Sequence, residues 1–327
     1  MAKVLITGGY GLVGHRVSLE LMNEGHDVVI VDNRNDYGII PKAEMDYTFE
    51  ARKVIVGPVK SYSIDICSRD FKAVMVKEKP EVVIHLASYP RQKIVNKNPQ
   101  LASSVIIGGT INVIQACKKF GVKRLLFASS SMVYGEFDDG IKETDICNPQ
   151  GTYAIAKLAC ENLIKDSGLD YTIIRPSAIY GELDVKDRVI SLFLIKAMCN
   201  ETLKVNGEDE KLDFTYVGDV AVGVRQIIES DNTINKTYNL TKSHSNTLFR
   251  AAQIAISLAQ SGYVEIGPKH PDFPSRGSLD ITQAKKDFDF SPKVDVDEGF
   301  SLYYHWLKNS KFWYNYISER RKLWAII

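Results

Sequence analysis

What the chain has little of narrows its function first. Its 327 residues hold five cysteines, Cys67, Cys117, Cys147, Cys160 and Cys199, an odd number, far apart and without a C-x-x-C pair. A disulfide scaffold or thiolate metal centre is therefore excluded, and free thiols in a reducing, cytoplasmic setting are expected. Charge of one sign is also missing, because 41 Lys and Arg face 40 Asp and Glu, a net charge of +1. A general nucleic-acid binder needs a basic excess, so no nucleic-acid partner is expected. No stretch of 18 residues is continuously apolar, so no membrane span is expected. Met1 to Thr7 lacks the basic head, apolar middle and small-residue site of a secretion signal. No internal repeat or low-complexity tract is present, and His85 has no second ligand at zinc spacing, so no metal is expected. The remaining composition, 45% hydrophobic and 25% charged, is that of a globular protein, and the length suits about two domains or one large α/β domain with an appendage.

The order of apolar segments is informative. Lys3 to Thr7 is a short apolar run ending in Gly8-Gly9. Helical spacing follows from Leu12 to Asn23, with Val13, Val17, Leu21 and Met22 on one face, and Gly25 stops it. A second apolar run, Val28 to Val31, ends at Asp32. Strand, glycine turn, helix and strand in this order form a parallel βαβ unit. Further strands are predicted at 53–56, 82–86, 124–128 and 171–174, and helices at 70–77, 99–120 and 152–165. Strands rich in Val, Ile and Leu suit a sheet covered on both faces. The pattern predicts a doubly wound α/β fold with a parallel sheet. After Pro176 the alternation weakens. Residues 1–180 are read as a dinucleotide-binding domain to which 213–240 return. Residues 181–212 and 241–310 are read as a smaller C-terminal substrate domain, and 311–327 as an aromatic, basic tail. The tail is either a membrane-surface or partner helix or, more ordinarily, a segment folded back on its own domain.

Gly8, Gly11 and Gly14 lie between the first strand and the first helix. Gly8 takes the tight turn, Gly11 admits a pyrophosphate close to the backbone, and Gly14 lets the helix pack on the sheet. Leu12 and Val13 open the helix, whose N–H groups and positive dipole end face the phosphates. Asp32 closes the next strand, where a carboxylate accepts hydrogen bonds from a ribose diol. It would repel a 2′-phosphate, so NAD is the expected cofactor, with Arg34 as the residue that would favour NADP.

Tyr153 and Lys157 are one helical turn apart, on one face. An ammonium beside a phenol lowers its pKa, which makes Tyr153 a candidate general base. Ser129-Ser130-Ser131 follow the fifth strand and offer hydroxyls to a substrate oxygen.

With these motifs the chain resembles the extended short-chain dehydrogenase/reductase family, in its group of nucleotide-sugar epimerases and dehydratases. The resemblance runs over nearly the whole chain. It rests on TGGYGLVG at 7–14, Asp65-Ile66, HLA at 85–87, SSSMVYG at 129–135, YAIAK at 153–157, RPSAIYG at 175–181 and DFTYVGDVA at 213–221. It implies a Rossmann fold, with Tyr153 as base, Lys157 holding the nicotinamide ribose and Ser130 as the catalytic hydroxyl. It places Asp65 and Ile66 at the adenine and Leu86 and Ala87 beside the cofactor. A homodimer through the helices at 99–120 and 152–165 is implied, and a nucleotide sugar as substrate.

Departures from the family pattern narrow the chemistry. Dehydratases carry Asp-Glu where Ser131 and Met132 stand, and decarboxylases carry Glu at the second position. Neither residue here moves a proton in that way, so epimerisation at C4 is expected, with a reductase or dehydrogenase, or a non-catalytic NAD-binding regulator, as alternatives. The diphosphate-binding Arg before DFTYV is Leu212, which leaves Arg276, or else Lys211 or Arg188, to hold the diphosphate. Arg276 and Ser131 join Ser130 as candidate substrate residues. The family's relay Asn is Ile106, and Asn112 is the residue to which that role would move. Arg91 is read as a solvated loop arginine, with a phosphate contact as the alternative.

Overall fold

The computed structural model describes residues 1–35, 38, 40–89, 92–270 and 274–324, apart from the side chains at 93 and 322–324. Arg91 lies outside the described residues. The first strand, β1 (Lys3–Thr7), runs through the glycine turn into α1 (Leu12–Asn23) and returns as β2 (Asp27–Val31). The next helix, α2 (Lys42–Val56), leads to a three-residue strand, β3 (Lys60–Tyr62). The strand expected at 53–56 is thus the last turn of α2. The four-residue apolar run is too short to distinguish strand from buried helix by periodicity. Its helical register appears only when Met45, Thr48, Arg52 and Val56, all buried, are taken together.

Helix α3 (Asp70–Glu78), β4 (Val82–His85), β5 (Arg124–Ala128) and β6 (Tyr171–Arg175) continue the alternation. A seven-stranded parallel sheet results, in the order Lys236–Asn239, β6, β5, β4, β1, β2, β3. The chain reverses direction across the sheet between β1 and β4. Thr7 is in register with both Val31 and His85, and His85 with Phe127. The loops after β1, β4 and β5 therefore emerge side by side at the carboxyl edge, where such sheets bind ligands.

Apolar layers cover the sheet on both faces, one including Leu5, Val83, Leu125 and Ile173 and the other Val4, Ile6, Ile84 and Leu126. A further core joins the helices Val189–Met198, Leu248–Ala259 and Val296–Asn309 around Phe193, Phe300 and Tyr303. Of the 241–310 stretch, Ile281, Ala284, Phe288 and Phe290 instead pack with the sheet's second apolar layer. The C-terminal helix, Lys311–Trp324, buries Trp313 and Ile317 in the non-sheet core, so the tail folds back on its own chain. Residues 99–120 run as α-helix, a π turn at Ser104–Gly108, and α-helix again. By length and composition this segment could cross a membrane. Its Ala102, Ile106, Val113 and Ala116 nevertheless lie in the sheet-facing core, which is the reason it is apolar.

Candidate active site

A cleft of about 880 Å³ runs along the carboxyl edge of the sheet and under the second core. At one end lie Gly8, Gly11, Leu12, Val13, Gly14, Asp32, Asp65, Ile66, Leu86 and Ala87, all of the positions expected to hold the dinucleotide except Tyr153 and Lys157. Gly8 has φ +71°, and a Cβ there would lie 2.8 Å from Ala87 N. A Cβ on Gly14 would sit 2.1 Å from Gly8 O. Neither position tolerates a side chain, so the turn keeps its backbone open to a phosphate group. No side chain caps α1, whose N-terminal end faces this cradle. The Asp32 carboxylate accepts from Tyr10 N–H (2.9 Å) and Arg34 N–H (2.7 Å), which fixes it at the strand end. Burial pushes its pKa up, and the backbone bonds and the cations Arg52 and Arg34 oppose that. These features fit an adenosine ribose and pyrophosphate. Arg34 has its guanidinium 5.5 Å from the centroid of the Tyr10 ring.

Sequence reading missed Arg52. It is almost fully buried and donates to Tyr10 O (3.0 Å) and Leu183 O (2.6 Å), joining the glycine turn to the loop on the far side of the cleft. Burial lowers its pKa to about 10, against the pull of Asp184 and Asp32. The helical spacing from Met45 to Val56 was the signal for it.

Ser130, Ser131 and Tyr153 line the middle of the cleft. The three serines have separate tasks. Ser129 donates to the fully buried Glu161 (2.5 Å), which also pairs with Arg175 at 2.7 Å, so it is part of a buried network rather than a simple turn residue. Ser130 opens the short helix Ser131–Tyr134 by accepting from Met132 N–H (3.2 Å), and its hydroxyl shares the cleft with Tyr153, whose phenol it favours in the ionised form. Ser131 is nearly fully buried, and its N–H donates to Pro176 O (2.9 Å).

Lys157 is buried and donates from Nζ to Ala128 O (2.8 Å). Its Nζ is 5.9 Å from the Tyr153 ring centroid and 4.7 Å from that of Phe127. The expected depression of the Tyr153 pKa by Lys157 does not hold in this geometry. Burial raises the phenol, and the opposing influences are the charge of Arg188 and the Ser130 hydroxyl. Burial also lowers Lys157 to about 8, so its ammonium is itself held at a cost. Asn112 does not take up the missing relay: its amide donates to Ile66 O (2.5 Å) and Ser68 O (3.3 Å). His85 is buried between the hydroxyls of Thr7 (2.8 Å) and Thr110 (3.1 Å).

Arg276 stands at the opposite end of the cleft. Its loop is pinned by Leu279 N–H to Asp213 (3.1 Å) and Ser278 N–H to Asp139 (2.7 Å). Its Nη1 meets Met132 Sδ at 3.1 Å, while Nε is buried without a hydrogen-bond partner among the described residues. Burial lowers its pKa to about 10. A buried donor left open in a cleft needs an acceptor from a ligand. Lys211, the alternative cation, also lines the cleft but pairs with Asp139 at 3.2 Å. Among the described residues, no group of three His, Cys, Asp or Glu is placed to hold a metal.

The model of the NAD dependent epimerase/dehydratase family matches residues 4–241. The chain belongs to that family. The match takes in the glycine turn, the serine segment, Tyr153 and Lys157, and stops before Arg276. A putative UDP-glucose 4-epimerase of Methanocaldococcus jannaschii is 30% identical, over 94% of this chain and 99% of its own. UDP-glucuronic acid decarboxylase 1 of Danio rerio is 29% identical, over 91% of this chain and 71% of its own. Among solved structures, a UDP-glucuronic acid 4-epimerase from Bacillus cereus, in complex with UDP-glucuronic acid and NAD, is similar in fold. Its TM-score is 0.85 at 23% identity, covering 94% of this chain and 99% of that one. The NAD-dependent family therefore agrees with the cofactor that Asp32 indicated.

Proposed function

We propose that this family member is an NAD-dependent nucleotide-sugar epimerase acting at C4. The observation that carries the reading is the joining, in one cleft, of the glycine turn, the Ser130–Tyr153 pair and the open Arg276 donor. The glycine turn and Asp32 would hold NAD, which when bound would supply the hydride acceptor and donor for a redox-neutral cycle. Tyr153 removes the proton of the 4-hydroxyl, and Ser130 hydrogen-bonds the reacting oxygen. Lys157, anchored on Ala128 O one turn from Tyr153, would hold the nicotinamide ribose. The sugar ketone turns in the cleft, and Tyr153 gives the proton back to the same oxygen. Arg276 holds the diphosphate in place of the arginine replaced by Leu212.

Two features support epimerisation over its rivals. Ser131 and Met132 are no acid–base pair for dehydration or decarboxylation, although a decarboxylase is among the relatives. Ile106 stands where a relay Asn would be, and Asn112 is engaged elsewhere. A redox-neutral cycle returns its proton to the oxygen it came from and needs no outlet.

A second reading of the sugar rests on Arg188. It lines the cleft with Tyr153 and is 42% exposed, with Asp184 3.9 Å away. A cation there favours a sugar with a carboxylate at C6, two carbons from the reacting C4. Comparing kcat/KM for UDP-glucuronate and UDP-glucose decides between an acidic and a neutral sugar. Tyr153→Phe tests the whole reading. It should keep the fold and NAD binding and lower kcat about 10²–10⁴-fold. Near-wild-type turnover by that variant would assign the chemistry to another residue. Leu101, Ile111, Ile155 and Leu163 are exposed on the helical segments at 99–120 and 151–165. This face supports a homodimer, which sedimentation would detect.

A further inference from the structure

Asp184, Val185, Asp187 and Arg188 of the 181–188 loop line the cleft together with Tyr153, and the loop is held from behind. Among the described residues, the ion pair that Arg188 makes is with Asp184 and is 3.9 Å long. Its position is therefore set by the loop backbone. Leu183 adopts a left-handed φ of 67°, a conformation that a non-glycine residue keeps only when its surroundings impose it. Three elements do so. From α2, Arg52 donates to Leu183 O (2.6 Å), and Glu44 accepts from Lys186 N–H (3.0 Å) and pairs with Lys186 Nζ (3.0 Å). From the Val296–Asn309 helix, Tyr303 donates to Asp184 O (3.0 Å). From the C-terminal helix, Tyr316 places its ring 5.3 Å under Lys186 Nζ. That helix is itself fixed to α2 by the stacked rings of Tyr47 and Phe312 (4.4 Å), and the residue before it by Tyr47 Oη to Ser310 Oγ (2.6 Å). Glu44 is 3% exposed, so its carboxylate depends on Lys186 for compensation.

We infer that Glu44 and Lys186 are positioning residues of the reaction: their ion pair, backed by Tyr316 of the C-terminal helix, sets the 181–188 loop so that Arg188 stands opposite Tyr153. The inference rests on Tyr153 being the proposed base. The pair touches neither the glycine turn nor the serine segment, so its loss should leave NAD binding intact. The groups that face one another are few. Tyr153 faces Arg188, the Ser130 hydroxyl and, at longer range, Lys157. Arg188 faces Asp184, with Asp187 on the same cleft wall. Lys186 faces Glu44 and Tyr316, and Arg52 faces Asp32 and Asp184.

The test uses the full chain loaded with NAD, in wild type, Lys186→Met, Lys186→Arg and Glu44→Gln, each with and without Tyr153→Phe. The difference in tyrosinate absorbance within each pair reports the titration of Tyr153 and needs no substrate. Lys186→Met and Glu44→Gln should move that titration upward by about half a pH unit or more, because the phenol loses an opposing cation. Lys186→Arg should restore it, and NAD affinity should stay constant throughout. In turnover, the acid limb of kcat/KM should move in the same direction, and KM should rise several-fold. Glu44→Gln keeps the side chain's shape and the acceptor for Lys186 N–H, so it remains informative where Lys186→Met misfolds. An unmoved Tyr153 titration in both charge-removing variants overturns the inference. So does an equal shift in Lys186→Arg, which would mean general loosening. If the wild type turns over no nucleotide sugar, the proposed function fails, while the titration still decides the role of the clamp.

Discussion

Lys157→Met exchanges a buried ammonium for a side chain of similar length, and the consequence for stability can be worked from the structure. Burial takes the Lys157 pKa from 10.5 to about 8. At 1.36 kcal/mol per tenfold change in proton affinity, the folded state bears roughly 3 kcal/mol at pH 7 to keep this group charged. The hydrogen bond to Ala128 O and the ammonium over the Phe127 ring offset part of that, on the order of 1 kcal/mol each. Removing all three leaves the variant more stable by roughly 1 kcal/mol at pH 7. The sign of the pH dependence follows from linkage. The folded pKa lies below the unfolded one, so the penalty is complete below about pH 8 and is relieved as pH rises from about 8 toward 10.5, where the folded chain sheds the proton first. Between pH 7 and pH 9 the wild type should therefore gain roughly 1.3 kcal/mol on the variant, so the advantage of the variant vanishes or reverses. Urea unfolding of both proteins, stripped of NAD and followed by circular dichroism, measures this difference, and groups common to both cancel. A stability gap that does not change over that range would refute the reasoning, because the ammonium would then be unpenalised. The same substitution should abolish efficient turnover, so a gain in stability accompanies a loss of activity.

The remaining predictions concern the two ends of the cleft and its buried support. Asp32→Ala should weaken NAD about tenfold and erode its preference over NADP, as parallel titrations of both cofactors would show; tighter NADP binding by the wild type would shift attention to Arg34. Arg276→Ala should raise KM for a nucleotide sugar roughly tenfold with NAD affinity unchanged, since a charged hydrogen bond contributes about 1.5–3 kcal/mol. Glu161→Ala strands Arg175 in the core and frees Ser129, so chemical denaturation should show a loss of about 3–5 kcal/mol.

Much of the dinucleotide half was legible in the sequence because its signals are local. A glycine turn between strand and helix, a carboxylate one strand later and a Tyr–Lys pair one turn apart are fixed by backbone geometry within a few residues. Such spacings survive whatever the rest of the chain does. The strand expected at 53–56 failed for the converse reason: four apolar residues carry no period of their own, and only the buried positions from Met45 to Val56 reveal the helix.

What tertiary structure alone decided is the electrostatics of the site, because charge and burial depend on residues distant in sequence. The Y-x-x-x-K spacing placed Lys157 one turn from Tyr153, yet the packed cleft sends its ammonium to Ala128 O and brings Arg188, 35 residues from Tyr153 in sequence, to the same cleft as the phenol. Leu212 marked a missing arginine, but only the fold shows Arg276 arriving from 64 residues away with a buried donor open, while Lys211 is taken by Asp139. Arg52 likewise has no motif, and its role exists because Tyr10 O and Leu183 O, 173 residues apart, converge on one guanidinium. Local steric rules are written in neighbouring residues, whereas desolvation and Coulomb interactions are summed over everything the fold brings near.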